Sequence, residues 1–403
     1  MPERLKPGGA EPRRYGYAIL GAGCAGLSLC HYLLERGVDA PILILDRKET
    51  FTDDRTWCFW DVEDTPFSDR AARRWNSWAV RAGGREIVHT SARYPYLCLT
   101  GADFYEDVLA KISPYDNVTV RLGEGVGSVK ELDDGVLIST PEGSYLAANV
   151  FDGRGLPPDS LVLKEARLDP AWISQQFLGL RLRSNRPVFD PNTCTLMDFS
   201  VDQGRGLRFA YVLPYDEREA LVENVYLSRG GAPPETHRAE LSAYLRERHG
   251  LADGDYEVAG EEWGDIPMIT RRFPRKPGTN IYAIGTLGGE TRPSTGYTFL
   301  RVQRYCRALA ESVTGGGKDP EKVHPRRYGL LDRVFLRLLR EQPERCPEIY
   351  ARMFAGTSPD ALVRFLTEKS SPLDEAGLIG ALPKLPFLRL AAGEAVDGAR
   401  EIL

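Results

Sequence analysis

The sequence is short of the residues that build disulfide frameworks and metal centres. Its 403 residues include seven cysteines and five histidines, with no Cys-x-x-Cys pair and no histidine cluster. An odd number of scattered cysteines indicates a reducing compartment, which we predict to be the cytoplasm, and argues against a disulfide scaffold, a zinc site and a dithiol redox centre. We therefore expect no bound metal ion.

Positive charge is not in excess either. The chain has 52 Lys and Arg against 57 Asp and Glu, a net charge of -5, so it lacks the basic footprint of a nucleic-acid-binding protein. Residues 15–34 form an uncharged run long enough to span a bilayer. This run contains four glycines and divides into a strand-like and a helix-like half, and no cleavable signal pattern precedes it, so we predict no membrane span and no signal peptide.

What the sequence does have is a glycine-rich turn between a strand and a helix, at residues 17–27. Gly21 permits the tight turn, Gly23 allows a pyrophosphate to approach the backbone, and Gly26 lets the helix pack closely on the strand. Asp46 follows a second strand, about 20 residues on, where a carboxylate accepts ribose hydroxyls. This context predicts a dinucleotide-binding unit with phosphates at the helix N-terminus.

Two later loops are also typical of cofactor sites. Residues 129–152 read as a three-stranded meander that ends at Asp152-Gly153. After a short strand at 281–284, residues 285–297 form a second glycine-rich turn that enters a helix at about 297–313. Such a turn offers backbone N–H groups to an anionic or polar part of a cofactor, although a plain turn before a helix is the alternative.

Between these loops lies a β-rich block, with one helix at 235–249 that ends at Gly250. The order predicts an α/β fold: a Rossmann-like FAD-binding domain, an inserted mixed β-sheet substrate domain and a helical C-terminal tail. The predicted boundaries separate a disordered lead-in, a discontinuous FAD-binding domain, a substrate domain and the tail: 1–14; 15–160 with 276–315; 161–275; 316–403.

The chain resembles the lycopene cyclase family, in its bacterial β-cyclase branch. The matching motifs are Gly21-x-Gly23-x-x-Gly26, Arg55-Thr56-Trp57-Cys58-Phe59, Phe151-Asp152-Gly153-Arg154-Gly155, Gln175-Gln176-Phe177-Leu178-Gly179, Met197-Asp198-Phe199-x-x-x-Gln203, Arg208-Phe209-x-Tyr211-x-Leu213-Pro214, Leu221-Val222-Glu223, Glu262-x-Gly264-x-Ile266-Pro267 and Arg292-Pro293-Ser294-Thr295-Gly296-Tyr297. The resemblance implies a flavin monooxygenase-like two-domain fold and a bound FAD that NAD(P)H reduces. It also implies a non-redox reaction that closes the ψ end groups of lycopene, through γ-carotene, into β rings.

The resemblance identifies Glu223 as the proton donor. The strand around it is apolar, and burial raises the pKa of a carboxyl group, which makes it a better donor. A solvent-facing or ion-paired carboxylate is the alternative. Glu262 is the second predicted catalytic residue: it orients Glu223, accepts the leaving proton or caps a turn. Asn224 departs from the carboxylate of many relatives, and Asp198 is predicted to be a hydrogen-bonded turn residue.

Further cofactor contacts follow from the same motifs. Arg55 pairs with phosphates or lies at the surface. Trp57, with Phe59 and Trp60, packs in the core, against the cofactor or beside a cation. The two later loops contribute the remaining predicted contacts: Asp152, Gly153, Gly285, Pro293 and Gly296. Thr286, where hydroxylase-type flavoproteins usually carry aspartate, weakens a hydroxylase interpretation.

Two other classes of protein compete with a cyclase. A redox flavoenzyme acting on an apolar substrate (a hydroxylase, halogenase or prenyl reductase) would consume oxygen or reductant. A flavin-bearing carrier of apolar ligands would form no product. For the cyclase, lycopene and γ-carotene dissolve in bilayers, so we expect a cytoplasmic protein that touches the membrane peripherally. The apolar and basic segment 382–390 is suited to that contact, with ordinary packing as the alternative.

Overall fold

The computed structural model describes residues 11–156, 161–168, 172–270, 274–315, 320, 323–384, 387, 389–391 and 393. Most of the predicted lead-in and part of the segment 382–390 lie outside these residues. Within them, no helix combines the length and apolar character that crossing a bilayer requires.

The described residues form three β-sheets and a set of helices. The strands in chain order are β1 (Arg13–Leu20), β2 (Ile42–Leu45), β3 (Thr56–Trp60), β4 (Arg73–Trp75), β5 (Ser77–Ala82), β6 (Arg85–Thr90), β7 (Tyr96–Thr100), β8 (Val118–Arg121), β9 (Ser128–Leu132), β10 (Gly135–Thr140), β11 (Gly143–Asp152), β12 (Ile173–Ser184), β13 (Thr193–Asp198), β14 (Leu207–Pro214), β15 (Glu219–Ser228), β16 (Tyr256–Met268) and β17 (Ile281–Ala283). The α-helices are α1 (Cys24–Glu35), α2 (Gly101–Ile112), α3 (Leu161–Leu168), α4 (Pro234–His249), α5 (Phe299–Val313), α6 (Arg327–Glu341), α7 (Cys346–Gly356), α8 (Pro359–Leu366) and α9 (Pro372–Ala381).

The first sheet is built around parallel strands. Its order is β8-β2-β1-β11-β10-β9, and β17 also pairs with β11. Strands β8, β2, β1, β11 and β17 run parallel, so their carboxyl ends meet at one edge. The meander predicted at 129–152 is confirmed as β9, β10 and β11, which pair antiparallel. In α/β sheets, the edge where the parallel strands end is where ligands bind.

The second sheet is mixed and has the order β16-β12-β15-β14-β13-β5-β6. Its two faces pack against different parts of the protein, because successive side chains along each strand point to opposite faces. On β15, Leu221 and Val225 join a core that includes the tail helices, whereas Ala220 and Val222 pack with α4. We call these the inner face and the outer face. The small third sheet, β3-β7-β4, contributes Trp60, Tyr96 and Cys98 to the inner-face core.

Several elements begin or end where their local sequence predicts. Helix α2 begins at Gly101, directly after Thr100, which caps it by accepting from the backbone N–H of Asp103. Helix α4 ends before Gly250, whose φ of 63° is the left-handed cap that glycine favours. The predicted helical tail is confirmed by α6 to α9, and Val334, Leu338 and Leu339 of α6 are buried in the inner-face core.

Three strands cross the predicted boundaries. Strand β1 begins at Arg13, inside the predicted lead-in, because Arg13 pairs with Tyr145 in the parallel ladder with β11. Strands β5 and β6, at 77–90, belong to the second sheet through the parallel pairing of β5 with β13. The predicted division into domains otherwise stays a prediction.

Candidate functional site

The glycine-rich turn after β1 has the geometry that its spacing predicts. Gly21 has a φ of +102°, and a Cβ atom there would lie 2.8 Å from the carbonyl oxygen of Gly153. A Cβ atom on Gly26 would lie only 2.0 Å from the carbonyl oxygen of Gly21. At Gly23, by contrast, a Cβ atom would meet nothing within 4 Å. Two glycines therefore serve close packing, and Gly23 leaves space beside the backbone.

That space lies at the N-terminus of α1. Gly23 is the N-cap residue, and no side chain caps the helix there. The first N–H groups and the positive end of the helix dipole are therefore available to an anion. This arrangement fits the pyrophosphate of a dinucleotide.

Asp46 follows the adjacent strand β2. Its Oδ2 accepts from the backbone N–H of Ala22 at 2.6 Å, and its Oδ1 accepts from that of Lys48 at 2.9 Å. The carboxylate thus braces the glycine turn. A carboxylate offers about four lone-pair sites, so two acceptor positions are left for hydroxyl groups.

Asp152 and Gly285 lie at the same edge of the first sheet. Leu20, Asp152 and Ala283 are in register across β1, β11 and β17. Gly153 donates its N–H to the carbonyl of Leu20 at 2.8 Å, whereas the Asp152 carboxylate pairs with Arg154. Gly285 has a φ of +63°, and a Cβ atom there would lie 3.0 Å from Cβ of Ala25 in α1. The predicted loops therefore converge on the glycine turn.

Pro293 and Gly296 lie in the loop between β17 and α5, which reaches the second sheet. Gly296 has a φ of +72°, and a Cβ atom there would lie 2.8 Å from Oε1 of Gln175 on β12. The preceding Arg292 is 1% exposed. Its Nε donates to Asp332 at 3.1 Å and its Nη1 to the carbonyl of Phe365 at 2.9 Å. The motif therefore also fastens the tail helices to this loop.

Arg55 and Trp57 flank the start of β3. Arg55 is exposed, and its carbonyl accepts from Gly101 at 2.6 Å. The Trp57 ring lies edge-on to Phe104, 5.1 Å away, while Phe59 stacks on Phe299 at 4.3 Å. These aromatic side chains pack against one another, and Phe59 and Trp60 are buried.

Glu223 and Glu262 meet on the inner face of the second sheet. Gly179 of β12 is in register with Glu223 on one side and with Glu262 on the other. Paired residues point to the same face, and each ladder spans about 4.8 Å, so the two acids are about 10 Å apart at the backbone. A Cβ atom on Gly179 would lie 3.0 Å from Cγ of Glu223 and 3.1 Å from Cγ of Glu262. The carboxyl groups hydrogen-bond over the glycine.

The two acids have different surroundings. Glu223 is 7% exposed. Burial, followed by the charge and hydrogen bond of Glu262, raises the pKa of Glu223 well above its usual value. Glu262 is half-buried, and its Oε2 accepts from the Thr56 hydroxyl at 3.1 Å. The raised pKa favours the protonated form of Glu223, and this buried carboxyl group lies directly beside a second, less buried one.

Asn224 lies on the outer face and takes no part in this pair. Its Nδ2 donates to Oε2 of Glu240 at 2.8 Å and lies 3.1 Å from Nδ1 of His237, both on α4. Since consecutive strand residues point to opposite faces, a carboxylate at 224 would not reach the Glu223 site. The absence of an acid there leaves the pair of Glu223 and Glu262 intact.

Asp198 is fully buried and has structural partners. Its Oδ1 accepts from the backbone N–H of Ser200 at 2.9 Å, and its Oδ2 accepts from the Tyr244 hydroxyl at 3.0 Å. The first contact is the turn bond expected of this residue. Three other residues of the site carried no predicted role: Thr56, Gly179 and Tyr211. All three lie inside the motifs shared with the lycopene cyclase family, and this was the only indication in the sequence that they matter.

Solved structures with this architecture define the class. A geranylgeranyl bacteriochlorophyll reductase-like protein from Thermoplasma acidophilum aligns with a TM-score of 0.61 at 13% identity, covering 94% of this chain and 98% of that one. A flavoprotein/dehydrogenase from Cytophaga hutchinsonii aligns at 0.62 and 14%, covering 91% and 100%. A p-nitrophenol 4-monooxygenase from Pseudomonas putida aligns at 0.57 and 16%, covering 95% and 98%. The predicted flavin monooxygenase-like fold is confirmed.

Within that class, the sequence comparison is specific. The model of the family described as lycopene cyclase protein matches residues 17–392, so the chain belongs to the lycopene cyclase family. Two curated relatives named lycopene beta-cyclase are each 24% identical. The one from Pantoea ananas aligns over 93% of this chain and 96% of its own length, and the one from Paracoccus sp. over 92% and 94%. The predicted resemblance is confirmed, as is the prediction that the chain is an enzyme.

Proposed function

We propose that this chain is a lycopene β-cyclase, which closes the ψ end groups of lycopene into β rings by acid catalysis with no net redox change. The observation that carries the proposal is the carboxyl pair over Gly179, because this reaction needs one proton donor and one acceptor at the same place. Glu223 is the donor and Glu262 the acceptor.

The steps balance without an external oxidant or reductant. The Glu223 carboxyl protonates the terminal double bond, which leaves a tertiary carbocation. A neighbouring double bond attacks this cation and forms the ring carbon–carbon bond, so the positive charge moves into the ring. Glu262 then removes a ring proton, and the remaining electron pair forms the ring double bond. The hydrogen bond between the two carboxyl groups returns the proton to Glu223. Each end group is closed in turn, through γ-carotene.

The cofactor contacts support FAD at the edge of the first sheet. The Gly23 turn and the α1 N-terminus would hold the pyrophosphate, and Asp46 would accept from the ribose. The loops at Asp152-Gly153, Gly285 and Pro293–Gly296 would contact the rest of the cofactor, with Arg55 and Trp57 beside it. Reduced FAD, supplied with electrons by NAD(P)H, would contribute an electron-rich anionic ring that stabilises the carbocation.

Water must be kept from the cation, which would otherwise give a hydroxylated product. The inner face does this with apolar neighbours. Leu221 and Val225 flank Glu223 on β15, and Cys98 faces it from the third sheet; all three are nearly inaccessible to solvent. A closed apolar environment also keeps the Glu223 carboxyl in its neutral, proton-donating form.

The decisive experiment is anaerobic. Purified protein, FAD and dithionite are mixed with lycopene in liposomes, and the carotenoids are separated by chromatography. We expect γ-carotene and β-carotene from the native chain, and a rate lower by about 10²- to 10⁴-fold for Glu223→Gln, which cannot donate a proton. Glu261→Gln is the matched control, because Glu261 pairs with Arg238 at the surface. Unchanged lycopene with the native chain, or an oxygenated or halogenated product in air, would reject the cyclase and favour a redox flavoenzyme.

We also infer peripheral membrane contact through the C-terminal segment, since the substrates dissolve in bilayers. Leu373 and Ile379 of α9 are 84% and 53% exposed, and the apolar and basic segment 382–390 follows directly. Truncation after residue 380, or Leu373→Ser with Ile379→Ser, should weaken binding to liposomes in a flotation assay. Liposome binding equal to that of the native chain would remove the idea.

A further inference from the structure

A tyrosine stands beside Glu223 on the side opposite to Gly179. Tyr211 of β14 is in register with Glu223 across the ladder with β15. The two side chains therefore project from the inner face as neighbours, about 5 Å apart at Cβ. A single row across the second sheet thus reads Glu262, Gly179, Glu223, Tyr211.

Tyr211 is less completely buried than other aromatic residues nearby. Trp60 and Tyr96 are each 1% exposed and Phe59 is 4% exposed, so neighbouring side chains cover their faces. Tyr211 points inward between two sheets yet remains half-buried, as does Cys58 on the facing strand. Tyr211 and Cys58 are therefore less completely covered than the aromatic residues around them.

A hydrogen bond to Tyr96, on β7 of the third sheet, holds the Tyr211 ring in its orientation. Its hydroxyl lies 3.0 Å from the hydroxyl of Tyr96. The Tyr96 ring is itself held against Trp60, with centroids 4.6 Å apart, and burial raises the pKa of both phenols well above the usual value. Both phenols therefore stay protonated across the physiological pH range, so neither becomes a phenolate whose oxygen could attack a cation.

Positive charge forms on carbon at the moment Glu223 gives up its proton. The cation then needs an electron-rich neighbour that cannot react with it, and an aromatic face has this property. We propose that Tyr211 is a further catalytic residue of the proposed cyclisation, whose ring stabilises the carbocation beside Glu223, and that Tyr96 is the positioning residue of that ring. This inference rests on the proposed function.

The test uses the full chain in the anaerobic liposome assay. Replacing Tyr211 by phenylalanine and then by mono-, di- and trifluorophenylalanine removes electron density from the ring while its size changes little. We expect kcat to fall with each fluorine, to a total of about tenfold, with KM unchanged, because a cation–π contact weakens in this order. Tyr96→Phe should lower kcat about threefold, in line with the loss of one neutral hydrogen bond.

Controls separate this role from structural damage. Tyr211→Leu should lose at least as much activity as the trifluoro variant. Tyr226→Leu removes a buried tyrosine from the outer face of the same sheet, and kcat per folded molecule should match the native value. A kcat that does not vary across the fluorinated series overturns the inference, even if Tyr211→Leu fails to fold. A native chain that forms no ring overturns the proposed function itself, which distinguishes the two failures.

Discussion

Glu223 and Glu262 project from strands that are not neighbours, and their carboxyl groups meet because the residue between them, Gly179, has no side chain. The glycine thus determines the distance between the two carboxyl groups. It does so by leaving the space above its backbone free of a side chain.

Gly179→Ala should therefore impair catalysis more than folding. The added methyl group would lie about 3 Å from both Cγ atoms, and the two flexible side chains would move apart by a few tenths of an ångström. We expect kcat to fall by about tenfold or more, because catalytic groups must be held to within about 0.5 Å. The melting temperature should stay close to that of the native protein. Gly260→Ala, where the nearest atom is 4.0 Å away, is the control and should retain the native kcat.

The pH dependence should report the raised pKa of Glu223. In the proposed mechanism its protonated form donates the proton, so the alkaline limb of the kcat/KM profile should fall as the pH rises through that pKa. The negative charge of Glu262 is the second cause of the shift, after burial. Glu262→Gln should therefore move the alkaline limb to lower pH, in addition to lowering the rate. A limb that stays in place in this variant would show that the two carboxyl groups are not coupled.

Replacing Gly23 or Gly26 by alanine should have different effects, the first on FAD binding and the second on stability. At Gly23 the new methyl group meets open space in the protein, so Gly23→Ala should leave the melting temperature without FAD unchanged and weaken FAD binding by about tenfold or more. At Gly26 it would overlap the Gly21 carbonyl, so Gly26→Ala should lower the melting temperature even without FAD. Flavin fluorescence titration and thermal melting measure both effects. Equal effects of the two substitutions would contradict this division of roles.

Asn224→Asp should cost stability and add no catalytic acid. The Asn224 amide donates to Glu240, and a carboxylate in its place would lose this hydrogen bond and face the Glu240 carboxylate instead. We expect the free energy of unfolding to drop by about 1–3 kcal/mol, with kcat per folded molecule unchanged. Adding Glu240→Gln restores a donor and should recover part of the loss. A higher kcat in Asn224→Asp would mean that position 224 can reach the substrate.

The glycine-rich turn after β1 and the end of α4 could be predicted from the sequence. At these places a left-handed φ or a close backbone contact requires glycine at a single position. The partner of Glu223 was predictable only as a candidate. Glu262 lies 39 positions away, and strand register across β12 brings the two acids together. No local sequence pattern indicates that β5 and β6 belong to the second sheet. Their membership depends on the pairing of Ser77 with Thr193, which are far apart in the chain. Arg292 lies in the predicted loop at 285–297, and its burial against Asp332 shows that it also connects this loop to the tail helices.

That link has a practical consequence for anyone who shortens the chain. Arg292 donates to Asp332 of α6 and to carbonyls at the end of α8. Removing the tail helices would therefore leave its guanidinium group without these partners. A buried charge without its partner costs several kcal/mol. Minimal versions intended for crystallography or pigment engineering should therefore keep α6 through α8, however remote these helices look from the chemistry.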